Sequence, residues 1–222
     1  MKQSKKILIA NRGVIAIRAL RAARELGYSV ASVYSTIDRD QKHLKLSDEA
    51  ICIGPPETKD SYLNEAAIIS AAELSGADAI YPGFGFLAEN ASFAEKCRES
   101  GFKFIGPDPE VIAIMGDKIK AKELAKSLNI PVVPGYEGEI STENEAIKIV
   151  EEIGYPVIIK ASAGGGGRGM RVVNSSDELW QSIQSAQNEA ELAFGDGKIF
   201  IEKYLKKPRH IEVQIFGNGE GE

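Results

Sequence analysis

The sequence predicts an α/β protein: a parallel sheet with helices on both faces, followed by a smaller α+β unit. Three observations carry that expectation. Over residues 5–106 short apolar runs alternate with amphipathic stretches, and glycines 27, 76 and 101 close the stretches. Strands separated by helices pair in parallel, because the crossover returns the chain to the same end of the sheet. Past Gly106-Pro107 the texture changes, and four consecutive glycines, 164–167, stand between two short apolar runs.

Residues 6–10 read as a buried strand and 14–26 as an amphipathic helix ending at Gly27. Residues 29–34 and 49–53 are the next strands. Asn64 caps a helix to about Leu74, because a short amide side chain can accept from the first free backbone N–H groups. Residues 78–81 form a strand that empties into Pro82-Gly83-Phe84-Gly85. Asn90 caps a helix to Ser100, and 102–105 complete the sheet. Asp108 and Asp117 start two helices separated by Gly116, the second running over 118–128. Ser141 or Thr142 caps a helix to Ile153. Strands follow at 155–160 and 170–173. Ser175 or Ser176 caps a long helix to about Phe194, and 198–205 is a strand. In 210–216, Ile211, Val213 and Ile215 share one face and His210, Glu212 and Gln214 the other, which predicts a strand. Gly217-Asn218-Gly219 then reads as a type I′ turn. A hairpin needs a return strand and only three residues remain, so a longer parent protein is expected.

With 222 residues, 43% hydrophobic and 27% charged, the chain has the composition of a soluble globular protein. A net charge of −5 argues against a general nucleic-acid binder. No apolar run reaches membrane-spanning length, and with only two histidines, His43 and His210, no histidine-based metal site is expected. Cys52 and Cys97 are too few for a disulfide framework or zinc site, and both are expected to pack as small apolar side chains in a reducing cytoplasm.

The glycine run gives backbone N–H groups close access to an anion. Lys160 ends the incoming strand, and Arg168 sits within the loop. Walker A is excluded, since Met170 stands where its lysine belongs and a strand follows. A kinase order is excluded too, since Lys160 precedes the glycines. A flap over polyphosphate fits better than a linker. The first β–α turn, Ala10-Asn11-Arg12-Gly13, keeps one glycine of a dinucleotide fingerprint, which disfavours NAD even with Asp38 in the place of a ribose-binding acid. Lys118, at a helix start where cations are unfavourable, suggests an anionic partner. The strand end 202–205 offers backbone groups of the kind that read an adenine.

These motifs occur in one order: Ile9-Ala-Asn-Arg-Gly13, Tyr81 to Leu87 with Glu89-Asn90, Met115-Gly-Asp-Lys118, Pro156 to Ala161, Gly164 to Met170, Glu202-Lys-Tyr-Leu205 and Pro208-Arg-His-Ile-Glu212. That order resembles the biotin carboxylases, the ATP-grasp component of acetyl-CoA, pyruvate and propionyl-CoA carboxylases. The resemblance implies a Rossmann-like pre-ATP-grasp domain over 1–114 and a first helical segment of the ATP-grasp body over 115–133. It implies an α+β lid with the glycine flap over 134–205, and the start of a truncated body over 206–222. It places ATP at Lys118, Lys160, Gly166, Gly167, Glu202, Lys203, Tyr204, Leu205 and His210. A biotin-proximal loop falls at Gly83, Phe84 and Gly85, where Phe84 replaces the family's usual tyrosine. Catalytic residues and Mg2+ ligands are expected beyond residue 222. The implied activity is ATP-dependent carboxylation of biotin by bicarbonate, for fatty acid synthesis or pyruvate carboxylation. A biotin carboxyl carrier protein or domain and a carboxyltransferase would be partners, and the full-length protein would be a cytoplasmic homodimer. This chain is expected to be inactive alone. The alternatives are another ATP-grasp ligase, of carbamoyl-phosphate or purine-pathway type, and a non-catalytic nucleotide-binding or assembly module.

Overall fold

In a computed structural model the structure describes residues 5–136, 138, 140–161 and 170–217. The chain divides into two compact units, Met1–Asn129 and Ile130–Glu222.

The first unit is built on a five-stranded parallel sheet. Its strands are β1 (Lys6–Ile9), β2 (Ser29–Ser35), β3 (Glu49–Gly54), β4 (Ala79–Tyr81) and β5 (Lys103–Phe104), in the spatial order β3-β2-β1-β4-β5. Successive residues of β1 point to opposite faces, and both faces are buried. On one face Ile9 and Val30 pack against Ala16, Leu20 and Ala23 of α1 (Gly13–Glu25). On the other, Leu8, Ala31 and Ile80 meet Ile68 and Ala72 of α3 (Glu65–Ser75) and Phe93 and Cys97 of α4 (Ala91–Glu99). Between them lies a single-turn helix, α2 (Lys42–Leu46), which the apolar pattern did not announce. The unit ends in α5 (Pro109–Gly116) and α6 (Lys118–Ser127).

The two asparagine caps form, whereas Ser175, at the start of the helix over 176–194, makes no side-chain cap hydrogen bond. The Asn64 and Asn90 side chains accept from the N–H groups of Ala67 and Phe93. Gly27 and Gly76 take φ of +78° and +62°, the left-handed region a side chain resists. Cys97 is fully buried as expected, but Cys52 is exposed. It sits on the edge strand β3, where its register points it away from the core.

The second unit is an antiparallel sheet of β6 (Gly135–Tyr136), β9 (Ile199–Lys203), β7 (Val157–Ala161) and β8 (Arg171–Val173), in that spatial order. One face carries Val157, Ile159, Val173, Ile199 and Ile201 against Ala146 and Val150 of α7 (Glu143–Ile153) and Leu179, Ile183 and Ala186 of α8 (Ser176–Phe194). Thr142 caps α7, its hydroxyl accepting from the N–H of Glu145. The predicted strand at 210–216 does not form. Residues 206–217 have no regular structure, and Ile211, Val213 and Ile215 are 73%, 79% and 68% exposed. A strand needs a neighbour for its backbone groups. Both sides of β9 are already taken, by β6 and β7.

Candidate functional site

Each unit carries its own cluster of the residues singled out above. In the first unit the sheet order reverses between β1 and β4, the point where open α/β sheets usually leave a ligand crevice. Here Asn11 ties the first β–α turn to the loop after β4. Asn11 is 2% exposed, and its Nδ2 donates to the carbonyls of Pro82 and Phe84 at 2.8 and 2.9 Å, while its Oδ1 accepts from the N–H of Arg12. Gly83 has φ +73°, and a Cβ there would lie 2.7 Å from Ile15 and 2.8 Å from the Asn11 amide. The loop is therefore fixed, with Phe84 62% exposed at its tip.

Asp38 is not a ribose-binding acid. Its Oδ2 accepts from the Arg12 guanidinium at 3.0 Å and from the hydroxyls of Ser35 and Tyr62, each at 2.8 Å. Burial alone would raise this carboxyl, but the bonds from Tyr62, Ser35 and Arg12, with the Arg12 charge, outweigh it and hold the pKa below the usual range. Burial, with the bond to Asp38, pushes the Tyr62 hydroxyl up to about 12. Arg12 also lies over the rings of Tyr62 and Phe86, at 5.1 and 5.5 Å. Asn11 and Arg12 thus organise the loop, a role that neither the lost fingerprint glycine nor the motif Ile9–Gly13 announced in the sequence.

Lys118 is exposed in the first turn of α6, next to Asp117, whose side chain accepts from the N–H groups of Ile119 and Lys120.

In the second unit the site lies on the sheet face turned away from α7 and α8. Ile158, Lys160, Phe200 and Glu202 alternate with the buried residues and emerge there. In the β7–β9 register Lys160 faces Phe200 and Ile158 faces Glu202, so Lys160 and Glu202 are diagonal neighbours. Lys160 Nζ lies 2.7 Å from Glu202 Oε2 and 5.6 Å from the Phe200 ring centroid. Lys203 turns elsewhere: its Nζ donates to the carbonyls of Gly154 and Tyr155 and closes the C-terminus of α7. The N–H groups of Lys203 and Tyr204 donate to Pro134 and Pro156, at 2.8 and 3.0 Å, so those two are spent within the unit. Leu205 is half exposed just past them. Gly166 and Gly167 lie outside the described residues. His210 is exposed, its Nε2 3.5 Å from Glu212. Among the described residues no three His, Cys, Asp or Glu side chains are grouped to hold a metal. No helix among them is long and apolar enough to cross a membrane.

The biotin carboxylase N-terminal domain model matches residues 3–112, and the model of the carbamoyl-phosphate synthase L chain ATP binding domain matches 117–222. The chain belongs to the biotin carboxylase family. It is 54% identical over 217 residues to the biotin carboxylase of Pseudomonas aeruginosa, covering 97% of this chain and 48% of that one. With biotin carboxylase 1 of Bacillus subtilis it shares 52% identity over 217 residues, covering 98% and 48%. Among solved structures, a biotin carboxylase beta-gamma-ATP complex from Campylobacter jejuni superposes with a TM-score of 0.77 at 51% identity, covering 93% of this chain and 46% of that one. The biotin carboxylase domain of a thermophilic 2-oxoglutarate carboxylase, bound to bicarbonate, gives 0.83 at 45% identity, covering 91% and 44%. The chain thus spans about half the length of the biotin carboxylases it matches.

Proposed function

We propose that this chain is the nucleotide-holding half of a biotin carboxylase: an enzyme that uses ATP and bicarbonate to carboxylate biotin on a carrier protein or domain. In the family's reaction bicarbonate attacks the γ-phosphate to give carboxyphosphate, which delivers CO2 to the ureido nitrogen of biotin. The single observation that carries this reading is Lys160. It is a half-buried cation on an exposed sheet face, at the end of the strand entering the glycine loop, in a chain whose relatives are named for this activity.

In this reading Lys160 and Lys118 attract the phosphates, Gly166 and Gly167 cradle them, and the segment Glu202–Leu205 holds the adenine, with His210 beside the nucleotide. Phe200 and Ile158 supply apolar surface next to Lys160, as a base or ribose requires. The domain limits are those expected from the sequence, 1–114, 115–133, 134–205 and 206–222. Gly83, Phe84 and Gly85 form the loop near biotin. Mg2+ would neutralise the phosphate charge, its carboxylate ligands coming from the part of the enzyme beyond residue 222. A carboxyltransferase and a second copy of the complete enzyme are further partners, and the cytosol is the location. The dimeric biotin carboxylase domain of the Hydrogenobacter thermophilus 2-oxoglutarate carboxylase supports the dimer. A carbamoyl-phosphate type of ligase draws support from the ATP-binding model at 117–222, but the match at 3–112 favours biotin.

Calorimetric titration of the 222-residue chain with ADP tests the core of this proposal. Binding is expected, and Lys160→Met weakens it by roughly 10- to 100-fold, the loss of one charge-assisted contact. Equal affinity in the two proteins would remove Lys160 from the site.

A further inference from the structure

We infer that Glu202 is a built-in counter-charge that weakens the pull of Lys160 on polyphosphate and so sets how readily the nucleotide exchanges. The inference rests on the reading of Lys160 as a phosphate-binding residue. It adds a role for a side chain that the motif alone places on the adenine side.

Among the described residues the ammonium group of Lys160 has Glu202 and Phe200 beside it on its sheet face. Glu202 Oε2 lies at 2.7 Å, and the Phe200 ring lies at 5.6 Å. The pair is well shielded: the Lys160 side chain is 29% exposed and that of Glu202 13%. A phosphate that approaches Lys160 therefore meets a carboxylate within one ion-pair length. Either the ammonium group leaves Glu202, or it bridges both anions and holds them close together. Both routes subtract from anion affinity, and repulsion at this separation is strong because solvent screens it poorly.

The strand pairing keeps Glu202 in that place. Gly135 stands opposite Glu202 in the β6–β9 register. A Cβ on Gly135 would lie 3.0 Å from Glu202 Cγ and 2.8 Å from the carbonyl oxygen of Ile201. The bare position on β6 leaves the room in which the Glu202 side chain lies against Lys160. Lys160 is thus held as a neutralised cation rather than as a free positive charge.

The test uses the full 222-residue chain, with inorganic tripolyphosphate as the phosphate probe and adenosine as the base probe. Glu202→Gln keeps the side chain's size and removes its charge. It is expected to bind tripolyphosphate about fivefold more tightly than the parent chain in low salt. The gain shrinks at 0.5 M salt, because it is electrostatic. The tightening is confined to the charged probe: adenosine, which carries no phosphate, shows no fivefold gain. The double variant with Lys160→Met loses the gain, and unchanged Trp180 fluorescence verifies the fold of each variant. Equal or weaker tripolyphosphate binding by Glu202→Gln overturns the inference and makes Glu202 a support for Lys160. If neither protein binds tripolyphosphate, Lys160 itself is not a phosphate ligand, and the assignment of the site fails with it.

Discussion

Asp38 and His43 show how single buried groups make the first unit's stability depend on pH. His43 is fully buried, with Nε2 donating to the carbonyl of Val33 and Nδ1 lacking a hydrogen-bond partner. Burial lowers its pKa, against the opposing effects of the Val33 carbonyl and the Asp38 charge. A lowered histidine pKa means that the unfolded chain takes up the proton first, so stability is full above about pH 6.5 and declines as pH falls below it. The pKa of Asp38 is also lowered, so its contribution is full above about pH 4 and is lost as pH falls through its folded value. Urea midpoints measured from pH 7.5 to 3 should therefore fall in two stages. His43→Gln, which can keep the donor to Val33, should flatten the first. Asp38→Asn should cost about 1–3 kcal/mol at pH 7, since charged hydrogen bonds are lost, and this deficit should shrink towards pH 3. A Glu- or Asp-independent profile in Asp38→Asn is not required, because Asp48 is likewise lowered by the N–H of Val30.

Helices and strands were legible wherever a local rule acted alone. Asn64, Asn90 and Thr142 cap because their side chains reach the next turn, and β1, β2 and β7 form because their apolar runs have a sheet to join. The alternation at 210–216 specified two faces but not a pairing partner, and no strand formed. The two-residue β6 follows Pro131 and Pro134 and is too short for any period to reveal. In the candidate site Lys160 was legible from its place before the glycines. Its contact with Glu202 was not, since 42 residues separate the two and only the β7–β9 register joins them. The same register makes a sharp prediction for β7. Ile159 is fully buried in the middle of the second unit's core, whereas Val172 on β8 is 40% exposed. Ile159→Ala should cost about 2–5 kcal/mol, and Val172→Ala about 0.5 kcal/mol or less. Trp180, the sole tryptophan, packs against this core, so its fluorescence during urea unfolding reads both changes.

Large apolar side chains are exposed in both units. In the first unit α5 and α6 expose Val111, Met115, Ile119 and Leu128 at 47%, 59%, 53% and 60%. In the second, Ile211, Val213, Ile215 and Phe216 all lie open along a segment with no regular structure. Where exposed apolar side chains of this kind join into a patch, they mark contact with another polypeptide. The biotin carboxylases this chain matches are about twice as long, and under the proposed function their remaining half is the polypeptide expected to cover this surface. The 222-residue chain alone should therefore bind a hydrophobic dye and show no bicarbonate-dependent ATP hydrolysis. Addition of the remaining half of the Pseudomonas aeruginosa enzyme, expressed separately, should suppress dye binding and bring the hydrolysis up, stimulated by free biotin. Charged substitutions at Ile119 and Leu128 should block that rescue and leave the fold of the second unit, read by Trp180 fluorescence, unchanged. Bicarbonate-dependent hydrolysis by the 222 residues alone would mean that they already hold a complete catalytic set.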